Sequence, residues 1–283
     1  MQDSIQQKKI LKIVCPDAAG LIAKITAICY QYKFNILKNN EFIDDKTSCF
    51  FMRSELAGCF YYQDNFLKDL NILLPVGSRY SLKDTERRKI VILVSHEVHC
   101  LGELLIKSAY GELDVEISAV ISNHKRLSQL VHGFNVPFIF FKHEGLTCLE
   151  QENNIIGSID LYQPDYIVLA KYMRILTPDF LRRYPNKIIN IHHSLLPAFV
   201  GSRPYHQAYA RGVKIIGATA HYVTNQLDAG PIIMQDAIHI DHTYSAEDMM
   251  RAGHDVEKNV LSRALNQILT HRVFLNGNRT ILL

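Results

Sequence analysis

The sequence lacks any apolar run that approaches the ~20 residues needed to cross a bilayer as a helix. Its first residues, Met1 to Lys9, are polar and do not resemble a secretory signal peptide. No two of its six cysteines form a CxxC pair. We therefore expect no contact with a membrane, and a cytoplasmic location where thiols stay reduced. The cysteines are then expected to be small core residues: Cys15, Cys29, Cys49, Cys59, Cys100 and Cys148.

A strong excess of either charge is also lacking. Lys and Arg number 31 against 28 Asp and Glu, and they are dispersed along the chain. Binding to nucleic acid needs basic residues clustered on one face, so we expect none. Hydrophobic residues make up 48% and charged residues 21%, which is ordinary globular usage and predicts a chain that folds throughout.

The N-terminal part of the chain shows the pattern of a small α/β unit. Short apolar strands and two amphipathic helices follow each other in the order βαββαβ, with the central strands joined by a polar turn at residues 44–46. This order predicts a ferredoxin-like domain, which we place at residues 1–83. The polar stretch 84–88 is the predicted linker.

Residues 89–283 form the larger predicted domain. From Ile90 to His192 apolar strands alternate with helices, which favours a doubly wound, largely parallel sheet covered on both faces. Ser245 with Asp248 three residues on predicts the capped start of a long helix to about Leu269. Asn276-Gly277 predicts a closing hairpin.

Two polar side chains lie at the end of an apolar strand, where doubly wound sheets place their ligands. Asn190 and His192 are two positions apart and share a strand face, while His193 is expected to point away. An amide donor beside an imidazole suits a carbonyl whose oxygen becomes negative in a tetrahedral intermediate. This pair is the first candidate for catalysis.

An acid follows further along the chain, in a turn that Gly230 and Pro231 define. Asp228 precedes the apolar run that begins at Ile232. If the turn meets the strand end in space, its carboxylate can orient water, take a proton from it and favour the charged form of His192.

The whole segment Asn190 to Ile233 resembles the folate-dependent formyltransferases and, within them, the formyltetrahydrofolate deformylases. The stretch Leu169 to Leu176 and the hairpin at Asn276-Gly277-Asn278 carry the same resemblance. It implies that Asn190, His192 and Asp228 are catalytic. It also implies hydrolysis of 10-formyltetrahydrofolate to formate and tetrahydrofolate, which supplies formate for purine synthesis and balances the one-carbon folate pool, with no cofactor and no metal.

The resemblance also implies a folate-binding pocket, mostly through backbone groups. The residues it places there are Met173, Arg174, Ile175, Leu176, Tyr222, Val223, Thr224, Asn225 and Leu227.

The first turn of the chain resembles that of ACT domains, small modules that bind amino acids at paired interfaces. Residues 16–23 carry this likeness. It implies an effector edge at Asp17, Gly20 and Asn35, an amino-acid effector such as glycine or methionine, and a homo-oligomer formed by pairing of these domains.

The acceptor of the formyl group has to be predicted from other residues. A glycinamide ribonucleotide formyltransferase, the alternative function, needs a glycine-rich phosphate cradle after the first strand of the larger domain. Here that loop is Ser95 to Cys100; it has no glycine, and Glu97 would repel phosphate. A methionyl-tRNA formyltransferase is expected to carry a further basic module, for which the segment after Asp228 is too short. Water is the predicted acceptor.

Two other classes of function agree less well with the sequence. The thirteen histidines allow a metallohydrolase with His192, His206, His221 and Asp228 as ligands, but no HExxH or other compact ligand pair is present. A non-catalytic amino-acid sensor is disfavoured because Asn190, His192 and Asp228 are all intact.

Overall fold

The computed structural model describes residues 7–142, 147–198 and 204–283. The chain divides into two compact units: residues up to Glu86 with Thr270–Phe274 and Ile281–Leu283, and Arg87–Leu269 with Leu275–Thr280. The division after Glu86 falls inside the predicted linker 84–88, while the return of C-terminal residues to the first unit was not expected. The domain ranges themselves stay predictions. In the part of the chain described, no helix is long and apolar enough to span a bilayer.

The first unit contains the elements β1 to β4 with two helices. Their bounds are β1 Gln7–Pro16, α1 Leu21–Gln31, β2 Asn35–Asp44, β3 Cys49–Gly58, α2 Gln63–Leu73 and β4 Arg79–Asp84. The strands form an antiparallel sheet in the order β2-β3-β1-β4. The predicted ferredoxin-like arrangement is confirmed.

Hydrophobic periodicity explains why these elements pack. On β1 the alternate residues Leu11, Ile13 and Cys15 are buried, as expected when one face of a sheet covers a core. On α1 the buried residues recur every three or four positions, which places them on one stripe facing that core. Gly20 stands before α1 with φ +83°, a left-handed conformation that glycine adopts without strain.

The second unit holds most of the remaining elements. They are β5 Arg88–Val94, α3 His99–Ala109, β6 Val115–Ser122, α4 Ser128–His132, β7 Phe138–Phe140, α5 Cys148–Tyr162, β8 Tyr166–Leu169, α6 Pro178–Arg183, β9 Ile188–His192, α7 Pro204–Ala210, β10 Ile215–Tyr222, β11 Ile232–His239 and α8 Ala246–Leu269. The chain closes with β12 Val273–Asn276 and β13 Arg279–Leu282, which pair as the predicted hairpin.

The strands of this unit join in one sheet in the order β11-β10-β9-β8-β5-β6-β7. From β9 to β7 all described pairings are parallel. Every residue from Ile90 to Val94 on the central strand β5 is buried, so helices and loops cover both faces. The predicted α/β fold with a largely parallel sheet is confirmed.

The antiparallel edge of the sheet was not predicted. β10 runs antiparallel to both β9 and β11. Its polar residues Thr219 and His221 are buried among apolar neighbours, so the strand shows neither a continuous apolar run nor a simple alternation.

Two smaller predictions can be compared with the structure. Ser245 and Asp248 form reciprocal side-chain and backbone hydrogen bonds at the start of α8, as the capping pattern predicts.

Of the cysteines, Cys15, Cys29 and Cys100 are buried, whereas Cys49 is half-buried and Cys59 is exposed. The prediction of core positions is therefore wrong for Cys59, which follows the last residue of β3 at the unit surface; the Cys148 side chain lies outside what the structure describes.

Candidate active site

Asn190 and His192 lie at the carboxyl end of β9, next to the antiparallel strand β10. The register places His221 opposite Asn190 and Thr219 opposite His192. The Asn190 Nδ2 atom lies 3.2 Å from His221 Nε2. β10 therefore supplies a direct hydrogen-bond partner for the first catalytic candidate.

His221 fixes the orientation of the Asn190 amide. Its Nδ1 donates to the carbonyl oxygen of Tyr222 at 2.9 Å, so Nε2 is left to accept the hydrogen bond from Asn190 Nδ2. Burial lowers the pKa of His221, which favours this neutral form. The sequence suggested His221 only as a metal ligand; in the structure it is a partner of Asn190.

Asp228 lies in the loop that joins β10 to β11. Its backbone is left-handed, with φ +53°. Two residues on, a methyl group at Gly230 would lie 1.8 Å from the carbonyl oxygen of Tyr222. Only glycine allows this close approach of the loop to the end of β10, and the approach holds the Asp228 turn at the strand edge.

The turn brings Asp228 to His192. Its Oδ1 lies 3.3 Å from His192 Nδ1 and 3.9 Å from His221 Nε2, and both the His192 and the Asp228 side chains are at most 9% exposed. The hydrogen bond from His192 lowers the pKa of Asp228, so the carboxylate is charged at neutral pH. His192 Nε2 is buried and has no hydrogen-bond partner among the described residues.

A cavity of about 430 Å³ opens beside these residues. It is lined by Leu169, Lys171, Tyr172, Met173, Arg174, Ile175, Leu176, Leu181, Asn190, Ile191, His192, His193, His221, Val223, Thr224, Asn225, Leu227 and Asp228. Of the predicted folate contacts, Tyr222 alone does not line it, because its side chain is buried within β10. His193, expected to point away, does line it, since strand alternation ends with β9 at His192.

The loop from Lys171 to Leu176 is held at both ends. Ser95 N donates to the carbonyl oxygen of Lys171 at 3.2 Å, and Ser95 Oγ accepts from Met173 N at 3.1 Å. The buried Glu152 accepts from Thr177 N at 2.8 Å and from the Thr177 hydroxyl. These contacts fix the wall of the cavity that the sequence assigned to folate.

A second group of charged residues adjoins the cavity at Lys171. Glu257 Oε2 lies 2.9 Å from both Lys171 Nζ and His99 Nε2, and Glu257 Oε1 accepts from Tyr205 Oη at 2.7 Å. We call Glu257, Lys171, His99 and Tyr205 the Glu257 cluster. No motif in the sequence predicted this cluster, although a charged residue on the apolar face of α8 was a signal for it.

The ligands of the metallohydrolase alternative are not all brought together. His192, His221 and Asp228 converge, but His206 is exposed on α7. Among the described residues, the side chains grouped closely enough to hold an ion are Glu97, His99 and His254, or His99, Cys100 and Glu257. The metal set predicted as an alternative is therefore not formed.

The predicted effector residues all lie in the first unit. Asp17 is exposed after β1 and its N–H donates to Ser48 O at 2.9 Å, Gly20 precedes α1, and Asn35 is exposed at the start of β2. A cavity of this unit is lined instead by Gln31, Tyr32, Lys33, Gly58, Cys59, Tyr61 and Tyr62. Effector binding stays a prediction.

Comparison with known proteins now adds to this geometry. The sequence profile of the family described as Formyl transferase matches residues 88–265, which contain every residue discussed at the cavity. The chain belongs to the formyl transferase family. The predicted family is thereby confirmed.

Relatives within the family differ in how much of the chain they match. Formyltetrahydrofolate deformylase of Escherichia coli is 64% identical over 277 residues, which cover 98% of this chain and 99% of the relative. The crystal structure of a formyltetrahydrofolate deformylase from Pseudomonas syringae has a TM-score of 0.92 at 36% identity, covering 99% of this chain and 95% of that one.

A formyl transferase with an amine acceptor in its name is more distant. The crystal structure of glycinamide ribonucleotide transformylase 1 from Symbiobacterium toebii has a TM-score of 0.68 at 27% identity, covering 74% of this chain and 100% of that one. Similarity over nearly the full chain thus goes with the deformylases and not with the amine-directed transferase.

Proposed function

We propose that this chain hydrolyses 10-formyltetrahydrofolate to formate and tetrahydrofolate. The observation that carries the proposal is the convergence of Asn190, His192 and Asp228 at one edge of the 430 Å³ cavity. Full-length similarity to formyltetrahydrofolate deformylases supports it. The amine-transfer alternative is not favoured, because the relative that names such an acceptor is more distant.

Binding is proposed to place the pterin against the loops 173–176 and 223–227, with the formyl carbon beside His192. Val223 and Leu227 offer apolar surface there, and backbone groups of both loops supply hydrogen bonds. No metal or nucleotide cofactor takes part in the proposed reaction.

Two donors stabilise the developing negative charge on the formyl oxygen. These are the Asn190 amide and the Nε2 atom of His192 in its protonated form, and the adjacent Asp228 carboxylate stabilises that imidazolium. Since His192 Nε2 has no partner among the described residues, it is available for substrate.

Asp228 orients the attacking water and takes a proton from it. The lowered pKa makes this carboxylate a weak base toward free water. The transfer is therefore favourable only as the carbon–oxygen bond forms and the water oxygen becomes positively charged. Collapse of the tetrahedral intermediate breaks the bond to the folate nitrogen, which gains a proton.

The decisive experiment is incubation of the chain with 10-formyltetrahydrofolate and no acceptor, with formate and tetrahydrofolate measured together. Equal amounts of the two products are expected. Formate that appears only after an amine acceptor is added, or a formyl group recovered on that acceptor, contradicts the proposal.

The same proposal includes regulation and assembly. An amino acid such as glycine or methionine binds the first unit near Asp17, Gly20 and Asn35, and this unit pairs in a cytoplasmic homo-oligomer; the ACT-like turn at residues 16–23 supports both statements. Calorimetry with each amino acid on the chain and on Asp17→Ala tests the effector, and sedimentation tests the assembly. No heat of binding from either amino acid contradicts the effector, and a monomer contradicts the pairing.

A further inference from the structure

The Glu257 cluster is a buried ionic group that the proposed mechanism does not use. Burial opposes ionisation of Glu257, but the hydrogen bond from His99 and the charge of Lys171 outweigh it, and the pKa of Glu257 lies well below its usual range. The side chain of Glu257 is fully buried. Both of its oxygens have donors at 2.7–2.9 Å, so the cluster is fixed in place.

The fold places this cluster next to the reacting groups. Lys171 comes two residues after β8, and His99 follows β5 at the start of α3. In the sheet β9, β8 and β5 are neighbours with parallel strands, so their carboxyl ends share one edge. Lys171 lines the catalytic cavity together with His192 and His193. Lys171 is therefore the member of the cluster that forms part of the cavity wall, and Glu257 holds it from behind.

The Glu257 cluster offers no unpaired positive charge to an anionic acceptor, because Glu257 balances the charge of Lys171. The donor nitrogens that Lys171 and His99 turn toward Glu257 are engaged there. Burial, with the charge of Lys171, lowers the pKa of His193 to about 3, so His193 is neutral at physiological pH. Glu97, 3.9 Å from His99 Nδ1, adds a negative charge. A phosphate-bearing amine would therefore find no free cationic partner in this cluster.

A glycine on α8 makes the cluster possible. A methyl group at Gly253 would lie 2.0 Å from Tyr205 Oη. Because Gly253 has no side chain, the Tyr205 ring packs against α8 and its hydroxyl donates to Glu257 Oε1. The anchor of Lys171 thus depends on three separate segments, α3, α7 and α8.

We propose that the Glu257 cluster determines the acceptor of the formyl group: Lys171, held against the cavity by Glu257, keeps amines from the formyl carbon and admits water. The inference rests on the proposed function and assigns Lys171 as a residue that sets specificity. When Lys171 is shortened, an amine nitrogen can attack the formyl carbon. The new carbon–nitrogen bond replaces the bond to the folate nitrogen, and the amine proton passes to that nitrogen, so tetrahydrofolate and an N-formyl amine result.

The test measures how the formyl group divides between water and an added amine. The full chain and its Lys171→Ala variant are incubated with 10-formyltetrahydrofolate and rising concentrations of hydroxylamine or glycinamide, and formate and N-formyl amine are quantified. We expect only formate from the unaltered chain, and a rise of about tenfold or more in the ratio of N-formyl amine to formate for Lys171→Ala.

Two further variants make the test decisive. Lys107→Ala removes another lysine of this unit. Lys107 does not line the cavity and contacts Glu103 at 3.0 Å, so the ratio is expected to stay unchanged. If the unpaired Glu257 unfolds Lys171→Ala, the double variant Lys171→Ala with Glu257→Gln restores charge balance and is measured instead.

The outcomes separate this inference from the proposed function. No formate from the unaltered chain overturns the proposed function itself. Hydrolysis at an unchanged ratio in the Lys171 variants overturns the role of the cluster alone. A folded Lys171 variant that performs neither reaction also overturns it, because a residue that sets specificity redirects the formyl group and does not abolish its transfer.

Discussion

Two buried carboxylates of the second unit are held in different ways: Asp228 lines the cavity itself, whereas Glu257 lies behind it and contacts the cavity residue Lys171. Asp228 has His192 at 3.3 Å, and the far nitrogen of that ring is unpartnered among the residues described. Glu257 has three donors at 2.7–2.9 Å. The pKa is lowered in both cases, so charge does not distinguish them. The difference is that Asp228 and its partner His192 together keep hydrogen-bonding capacity for a ligand, whereas both oxygens of Glu257 already have donors.

The largest effect is expected at Asp228, the acid that we propose activates water. Asp228→Asn keeps the size of the side chain but removes the base and the charge that supports protonated His192. Turnover should fall about 100- to 10,000-fold, roughly 3 to 5 kcal/mol of transition-state stabilisation. Turnover is measured alongside the dissociation constant of a non-hydrolysable folate analogue, which should change little.

Circular dichroism of Asp228→Asn confirms that the variant folds. A folded variant with more than about a tenth of the turnover would remove Asp228 from the mechanism. Equal losses of folate binding and of turnover would make it a binding residue.

The structural acid should matter for stability. Glu257→Ala leaves the Lys171 ammonium buried without its counter-charge, and breaking such a pair costs about 3–5 kcal/mol. Urea unfolding measures this loss. The double variant Lys171→Met with Glu257→Gln should lose less, because no buried charge is left unpaired. If the free energy of unfolding of Glu257→Ala lies within about 1 kcal/mol of that of the unaltered chain, Glu257 does not have this structural role.

A smaller loss is expected at the edge of the same cluster. Tyr205→Phe removes one hydrogen bond to a charged group, which is worth about 1.5–3 kcal/mol, and keeps the ring. Tyr209→Phe, an exposed tyrosine on the same helix, is the matched control. Equal urea midpoints for the two variants would show that the Tyr205 hydroxyl does not support Glu257.

The smallest effect is expected in the pH dependence of stability, through the neutral imidazole of His193. The folded pKa of His193 is lowered from 6.5 to about 3, mainly by burial and then by Lys171, while His192, Glu257 and Asp228 also act on it. Between these values the unfolded chain binds a proton that the folded chain does not, so stability falls as pH drops below about 6.5. His193→Gln should reduce this fall by on the order of 1 kcal/mol between about pH 7 and pH 5. If the free energy of unfolding falls equally with pH in the unaltered chain and in His193→Gln, His193 is not the cause.

The two acids also differ in how far the sequence reveals them. Asp228 lies within one continuous segment with Asn190 and His192, so the turn allowed their meeting and the resemblance of that segment to the formyltransferases predicted it. The members of the Glu257 cluster extend from His99 to Glu257 on different elements, and only tertiary packing brings them together. His221 was missed as a partner of Asn190 for a related reason: β10 is antiparallel, and its register cannot be read from local periodicity.

The hydrogen bonds from Tyr222 through His221 to Asn190 fix the orientation of the amide that we propose as a donor to the formyl oxygen. The carbonyl oxygen of Tyr222 selects the tautomer of His221, and the tautomer decides which end of the Asn190 amide faces it. Protonation of His221 would turn its Nε2 from acceptor to donor and oblige the amide to rotate end for end. Because burial lowers the pKa of His221, this rotation of the amide requires more acidic conditions. The backbone of β10 thereby determines how the Asn190 amide on β9 is oriented toward the cavity.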